Sequence, residues 1–501
     1  MKRRLVVLLL GMTMFASLLT GCGKESQLAR KVVAADGEGK TPKYVFLFIG
    51  DGMSYPQFQS ASDYLGALEE NDDILSGNKN LSFMDFEVAG SATTYDSTSF
   101  CPDSASTATS IASGHKTHSG VINMDESKSE SYETIAEKLK EQKDYNVGII
   151  TSVNLNHATP AAFYAHQASR GSYYEIGQEL IDSDFDYFAG GGLLLSTGKE
   201  EDQKDLYAIA EESGYTVADT KAEAEALAEG DKAIVIGEDL ADADSISYEI
   251  DRAEDSLALK DYVKKGVEVM GTDKGFFMMV EGGKIDWACH ANDAATAIGD
   301  TIALSDAVSE AVAFAQEHPE ETLILVTGDH ETGGLTIGYA GTQYDTFFDN
   351  VEKQKISYAK YDEDYVKGYR EAAVPFEEAM KDVQELFGLT LPENKTAETD
   401  ETLVLTDYEI EKLRAAYSRT LEGEKEEEPS QEEYLNYGGY EAFSVTVTHL
   451  INNKSGIGFT SYSHTGLPVA VFAQGTSANL FAGTYDNTEI YNKMATLLEV
   501  E

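Results

Sequence analysis

Short, near-continuous apolar runs alternate along the chain with longer stretches whose apolar residues return at helical spacing. Residues 44–49 (YVFLFI) form the first such run, and 147–150, 275–280 and 322–326 repeat the pattern. Strand-length runs that are apolar on both faces fit interior strands of a mainly parallel sheet. Between them lie amphipathic stretches such as 132–142 and 294–317, the latter with Ile298, Ile302, Leu304, Val308 and Val312 recurring along it. Strands and helices alternating in this way predict an α/β fold: a central, mostly parallel sheet flanked by helices. Residues 469–472 are placed as one further strand near the end.

The pattern breaks between about 341 and 445. That region is rich in Tyr, Glu, Lys and Asp and lacks buried-strand runs. It is expected to be an inserted, α-rich surface subdomain with helices over 369–387 and 407–421. The second helix carries a start signal, Thr406 with Glu409 three residues on. An acidic stretch, 422–433, follows. The α/β core is then 41–340 together with 446–501.

The N-terminus reads as an address. Lys2, Arg3 and Arg4 precede an apolar run over 5–19, which leads to Leu19-Thr20-Gly21-Cys22. A basic start, a short apolar core and small residues before a cut site describe a secretory signal over 1–21. The run is too short and wrongly flanked for a membrane span. Its ending resembles the bacterial lipobox, which would make Cys22 the lipidated first residue of an extracytoplasmic protein anchored to the bacterial cell membrane. The alternative is a plain signal peptide with a coincidental cysteine. Residues 22–40 are polar without clear periodicity and read as a tether.

A formal charge of −50 over 501 residues argues against nucleic acid as a partner, since phosphates are repelled. The same field disfavours small anionic substrates unless something local reverses it, and bound divalent metals would. A solvated acidic surface is the plainer account of the charge. Beyond Cys22, only Cys101 and Cys289 remain. That is no disulfide scaffold, and the sequence leaves open whether the two pair.

Chemistry collects where the apolar strands stop. The first ends in Gly50-Asp51-Gly52-Met53. The run over 275–280 leads into Glu281, with Asp286 and His290 following. The run over 322–326 leads into Thr327-Gly328-Asp329-His330-Glu331. Ligands of open α/β sheets bind outside the carboxyl ends of the strands, so these side chains would converge. Each piece alone has a bland explanation: a tight turn, a cap, a same-face pair four residues apart. Together they point to metals, because carboxylate with imidazole suits zinc and an all-oxygen site suits magnesium.

Ser104, behind Pro102 and Asp103, falls in the first turn of an expected helix. There free N–H groups and the dipole attract anions, and a nearby metal would activate the hydroxyl. Plain N-capping by Asp103 or Ser104 is the competing account. A last polar cluster, Asn156-His157-Ala158-Thr159-Pro160, is followed by His166 and Arg170. Arginine is the natural bidentate partner of phosphate; a surface salt bridge is its alternative.

Six segments, GDGMS, DSASTAT, HATPAAFYAHQASR, VEGGKIDWACH, TGDHETGG and SHTG, occur in this order, and the set resembles alkaline phosphatase. The resemblance runs from about 43 to 340 and resumes from about 455. It implies hydrolysis of small phosphate monoesters through a phosphoserine on Ser104, with two Zn2+ and one Mg2+, or Co2+ or another divalent ion in their place. By the resemblance Asp286, His290 and His464 hold the first zinc. Asp51, Asp329 and His330 hold the second. Asp51, Thr159 and Glu281 hold the magnesium, and Arg170 clamps the phosphate. His157 and Trp287 depart from the best-known bacterial pattern, which has aspartate and lysine there. His157 then stands as a ligand or outer partner of the third ion, and Trp287 beside the phosphate. A homodimer is the family's usual state. A phosphodiesterase of the same superfamily and a non-catalytic metal-binding lipoprotein are the competing functions.

Overall fold

The computed structural model describes residues 40–69, 77–423 and 429–501. The expected signal segment, Cys22, the tether up to residue 39 and part of the acidic stretch lie outside the described residues.

The strands, in chain order, are β1 (Tyr44–Gly50), β2 (Val88–Thr93), β3 (Asn146–Thr151), β4 (Tyr187–Gly190), β5 (Thr216–Ala218), β6 (Ala233–Ile236), β7 (Phe276–Gly282), β8 (Thr322–Gly328), β9 (Glu331–Thr332), β10 (Thr336–Ile337), β11 (Ile457–Gly458), β12 (His464–Thr465), β13 (Val469–Gly475) and β14 (Gly483–Asp486). Ten of them form one sheet in the order β14-β2-β13-β8-β1-β7-β3-β4-β6-β5. Its pairings are parallel except those of β13, which runs antiparallel to both β2 and β8. The expected mostly parallel sheet is therefore present, and the terminal run at 469–472 enters it reversed.

Period-two alternation explains why the strands are apolar throughout. Val45, Leu47 and Ile49 of β1 enter one hydrophobic cluster, with Ala108 and Ile111 of the helix Ser104–Ser113. Tyr44, Phe46 and Phe48 enter the other, with Leu304 and Val308 of the helix Ala294–Glu317. Both faces are covered by helices, so neither tolerates polar alternation. Each such side chain contributes about 1.5–3 kcal/mol on burial.

A third cluster is built by helices between Ile356 and Ile451. The capping box at Thr406 is formed: Thr406 N–H donates to Glu409 Oε2 at 2.8 Å, and Glu409 N–H to Thr406 Oγ1 at 3.4 Å. The single helix expected over 369–387 is two, Lys367–Ala372 and Phe376–Phe387, separated at Ala373 with φ 46°. Pro375 lacks the N–H that a continuous helix would need there. Two further helices, Gln431–Tyr437 and Ala442–Ser455, were not anticipated. The second contains the strand-like run Val445-Thr446-Val447, and burial among neighbouring helices overrides its local preference. Cys101 is exposed, Cys289 is buried, and both are free.

Candidate active site

Strand register assembles the site. Gly50 of β1 pairs with Gly282 of β7 and with Gly328 of β8, so three strands end in one row. The preceding row sets Ile49 beside Glu281 and Thr327, and Thr151 of β3 beside Glu281. Asp51 and Asp329 therefore emerge together. Gly52 turns the chain with φ 69°, and a Cβ there would meet Asp286 Oδ1 at 2.9 Å, so glycine lets the turn close on the site. The helix Lys284–His290 starts directly after β7 and puts Asp286 and His290 on one face. His464 arrives from far along the chain because β12 pairs with β9, His464 opposite Thr332.

Among the described residues, three groups of side chains have ligating atoms within 4.8 Å of one another: Asp286, His290 and His464; Asp51, Asp329 and His330; and Asp51, His157 and Glu281. In the first group, His290 Nδ1 lies 2.6 Å from the carbonyl of Tyr462 and His464 Nδ1 lies 2.5 Å from the carbonyl of Pro102. A carbonyl only accepts, so each Nδ1 carries a proton and each Nε2 in its neutral ring carries a lone pair. The two Nε2 atoms are 3.0 Å apart, with Asp286 oxygens 3.4 Å from His290 and 3.6 Å from His464. Against burial, Asp286 raises His290 to about 9, so in the metal-free protein a proton stands among these groups; a divalent cation would take its place, and the donor set fits a metal.

In the second group, His330 Nε2 lies 3.3 Å from Asp51 Oδ1 and 3.3 Å from Asp329 Oδ2. Its Nδ1 lies 3.3 Å from Thr332 Oγ1, whose own proton goes to Asp286. Asp329 is oriented by N–H groups of Gly52 (3.1 Å) and His330 (2.8 Å) and by the Thr107 hydroxyl at 3.1 Å. Ser104 opens its helix behind the N-cap Asp103, and its Oγ is 3.1 Å from His330 Nε2. The serine is thus the first residue inside the helix rather than its cap.

In the third group, Asp51 Oδ1, Glu281 Oε1 and His157 Nδ1 are buried and lack hydrogen-bond partners. Orphaned buried oxygens of this kind are what a bound cation would satisfy. Thr159 Oγ1 lies 3.3 Å from Asp51 Oδ2, and the Thr151 hydroxyl donates to Glu281. Arg170 spans the mouth of the site. It donates to Asp103 Oδ2 at 3.0 Å and to His157 Nε2 at 3.0 Å. While that bond holds, His157 Nδ1 carries the proton and stands 3.9 Å from Glu281 Oε1, beyond hydrogen-bond reach. Trp287 packs edge-on to His157 at 6.0 Å and under the Lys284 ammonium at 4.8 Å.

The electrostatics agree with a site built for cations. Burial, then Asp329, Asp286 and Glu281, hold the Asp51 carboxyl well above the usual range. Burial pushes Glu281 up to about 8, and burial with Asp286 pushes Asp329 up to about 7. Burial, then Arg170, pulls His157 down to about 3. Asp51, Glu281 and Asp329, crowded out of water, resist ionising together, whereas Asp286 is held ionised by the neighbouring imidazoles against its burial; bound divalent ions would let all four ionise.

Of the residues singled out from sequence, His166 stands apart: it pairs with Glu179 and Glu137 at 3.3 and 3.4 Å. Asn156 braces the backbone at Tyr173 and Leu194. Missed from sequence were Thr151, Thr107, Thr332, Lys284 and the carbonyls of Pro102 and Tyr462. Only Thr151, polar at the end of an apolar run, carried a local signal.

A family model described as Alkaline phosphatase matches residues 42–500. Alkaline phosphatase 3 of Bacillus subtilis (strain 168) is 30% identical over 495 residues, 98% of this chain and 95% of that one. A cold-active alkaline phosphatase from the psychrophile Shewanella sp. superposes with a TM-score of 0.73 at 26% identity, over 91% of this chain and 99% of that one. A mutant of the TAB5 alkaline phosphatase with Mg bound in its M3 site shares the fold, at a TM-score of 0.61 and 24% identity over 93% of this chain and 100% of that one.

Proposed function

The chain belongs to the alkaline phosphatase family, and on that premise we propose that it hydrolyses small phosphate monoesters through a phosphoserine on Ser104. The observation that carries this reading is the Ser104 hydroxyl 3.1 Å from His330 Nε2, at the head of a buried helix. When bound, zinc at the groups of His290 and of His330 and magnesium at Glu281 would supply Lewis-acid charge to the attacking and leaving oxygens. Asp286, His290 and His464 would hold one zinc, and Asp51, Asp329 and His330 the other. Asp51, Thr159 and Glu281 would hold the magnesium, with His157 beside them as a ligand or outer partner.

Ser104 Oγ forms a bond to phosphorus as the ester P–O bond breaks, and the leaving oxygen departs as the alcohol. Water then cleaves the Ser104–phosphorus bond and inorganic phosphate is released. Arg170, preset by Asp103, turns its fork to two phosphate oxygens. The free N–H groups at the start of the Ser104 helix add favourable charge to the phosphate. Trp287 lies beside the phosphate position without adding a charge to it.

The proposal extends to place and assembly: a lipid anchor on Cys22 after removal of 1–21, extracytoplasmic release of phosphate, an inserted surface subdomain over 341–445, and a homodimer.

The test is hydrolysis of a panel of phosphate mono- and diesters by wild type and Ser104→Ala, with and without chelator. Wild type should favour monoesters, and Ser104→Ala should lose on the order of a thousandfold or more in kcat. Equal activity in the two proteins would sink the phosphoserine, and a preference for diesters would sink the substrate class.

A further inference from the structure

The helical segment beyond β10 reaches the first group of ligands through Tyr462. The main-chain carbonyl of Tyr462 accepts the Nδ1 proton of His290 at 2.6 Å, and that bond decides which nitrogen faces Asp286 and His464. The side chain of the same residue is held by the helix Gln431–Tyr437. Its hydroxyl donates to the carbonyl of Asn436 at 2.7 Å. Its ring lies on Gly438, the left-handed residue with φ 64° that ends this helix. A Cβ at 438 would come within 2.3 Å of the ring, so this contact requires glycine. The rings of Tyr434, Tyr440 and His449 enclose it at 6.2, 6.4 and 5.9 Å. Burial, and after it the nearby Asp286 carboxylate, hold the Tyr440 phenol above its ordinary range.

On the core side, hydrogen bonds to its backbone hold the loop beside residue 462. Ser461 N–H donates to Gly333 O at 3.0 Å, Gly333 N–H donates to Ser463 O at 3.0 Å, and Asn292 Nδ2 donates to Ser461 O at 2.8 Å. These bonds flank the carbonyl of residue 462, while the helix grips the residue that carries it. Groups that orient a metal-binding imidazole commonly change metal affinity by about 10–100-fold when lost.

We infer that Tyr462 is a positioning residue that ties His290 to the helix Gln431–Tyr437, so that retention of the first ion depends on that helix staying docked. The inference rests on reading Asp286, His290 and His464 as a metal site. It needs no phosphatase activity.

The experiment uses the full chain loaded with zinc. Tyr462→Phe removes the latch hydroxyl and keeps the ring and the carbonyl. Gly438→Ala displaces the ring from outside the loop. Zinc retention is read by competition with a chelator, alongside the melting temperature of the stripped proteins. Each variant should hold one zinc about tenfold more weakly and keep the other as in wild type, and Tyr462→Phe should melt like wild type when stripped. His464→Ala, which lacks a first-site ligand, should already miss that ion, and adding Tyr462→Phe to it should cause no further loss. Unchanged zinc retention in both variants, or equal weakening of both ions, would overturn the inference. A wild type that bound zinc but hydrolysed no monoester would refute the proposed function and leave this result readable.

Discussion

The Nε2 atoms of His290 and His464 lie 3.0 Å apart, each ring turned by a backbone carbonyl so that its Nε2 faces the other. Without a cation, the crowded carboxylates Asp51, Glu281 and Asp329 of the adjoining groups oppose folding. Stripping the metals should therefore lower the melting temperature, and the effect should grow with pH. Glu281 titrates near 8 when folded against an ordinary 4.5, and Asp329 near 7 against 3.8, both raised first by burial. Between the ordinary and raised values the stripped folded state binds more protons than the unfolded chain, so its stability falls as pH rises, by up to about 1.4 kcal/mol per pH unit for each group. Metal-loaded protein keeps these groups ionised and escapes the loss. Thermal scans of loaded and stripped protein from pH 5 to pH 8 should show a widening gap; a constant gap would contradict this account.

Arg170 is held by Asp103 and His157 at 3.0 Å each, so its fork is set before phosphate arrives. Arg170→Ala should raise KM and weaken inhibition by inorganic phosphate by roughly 10–100-fold, with a smaller change in kcat. Arg170→Lys should not restore either, since an ammonium lacks the planar fork. Steady-state kinetics with phosphate as inhibitor decide it, and full recovery in the lysine variant would argue against two-point binding.

Thr151 orients Glu281 by donating to it, and their backbones are register partners. Thr151→Val keeps the shape and removes the donor. Magnesium affinity should fall about tenfold while both zinc ions stay bound. A magnesium titration of zinc-loaded protein measures this, and loss of zinc instead would mean that the threonine serves the whole centre.

His157 is kept neutral by burial and by Arg170. His157→Asp adds an anion facing Asp51 and Glu281, and magnesium binding should tighten by an order of magnitude or so, as attraction to a divalent ion in a buried site implies. Trp287→Lys places a cation beside the phosphate position and should strengthen phosphate inhibition. Calorimetric magnesium titration and product-inhibition constants are the readouts; weaker magnesium binding in His157→Asp would show the histidine to be a direct ligand.

Sequence alone determined the α/β class, five strands of the central sheet and the polar residues at the ends of the parallel ones. Strand-length apolar runs and their termini are local properties, and a sheet buried on both faces leaves the chain no other way to write them. Ordered motifs also gathered His464 with residues far away, through family likeness rather than through anything its own neighbourhood displays. Tertiary structure decided the rest. The break at Ala373, the helix over 442–455 and the reversal of β13 follow from packing between segments distant in sequence. The same is true of the site's finer chemistry. Which nitrogen of His290 is free depends on a carbonyl 172 residues away, and what orients Glu281 depends on a threonine 130 residues away. Hydrogen bonds of that range are set by strand register and helix docking, and no local pattern of residue types encodes them.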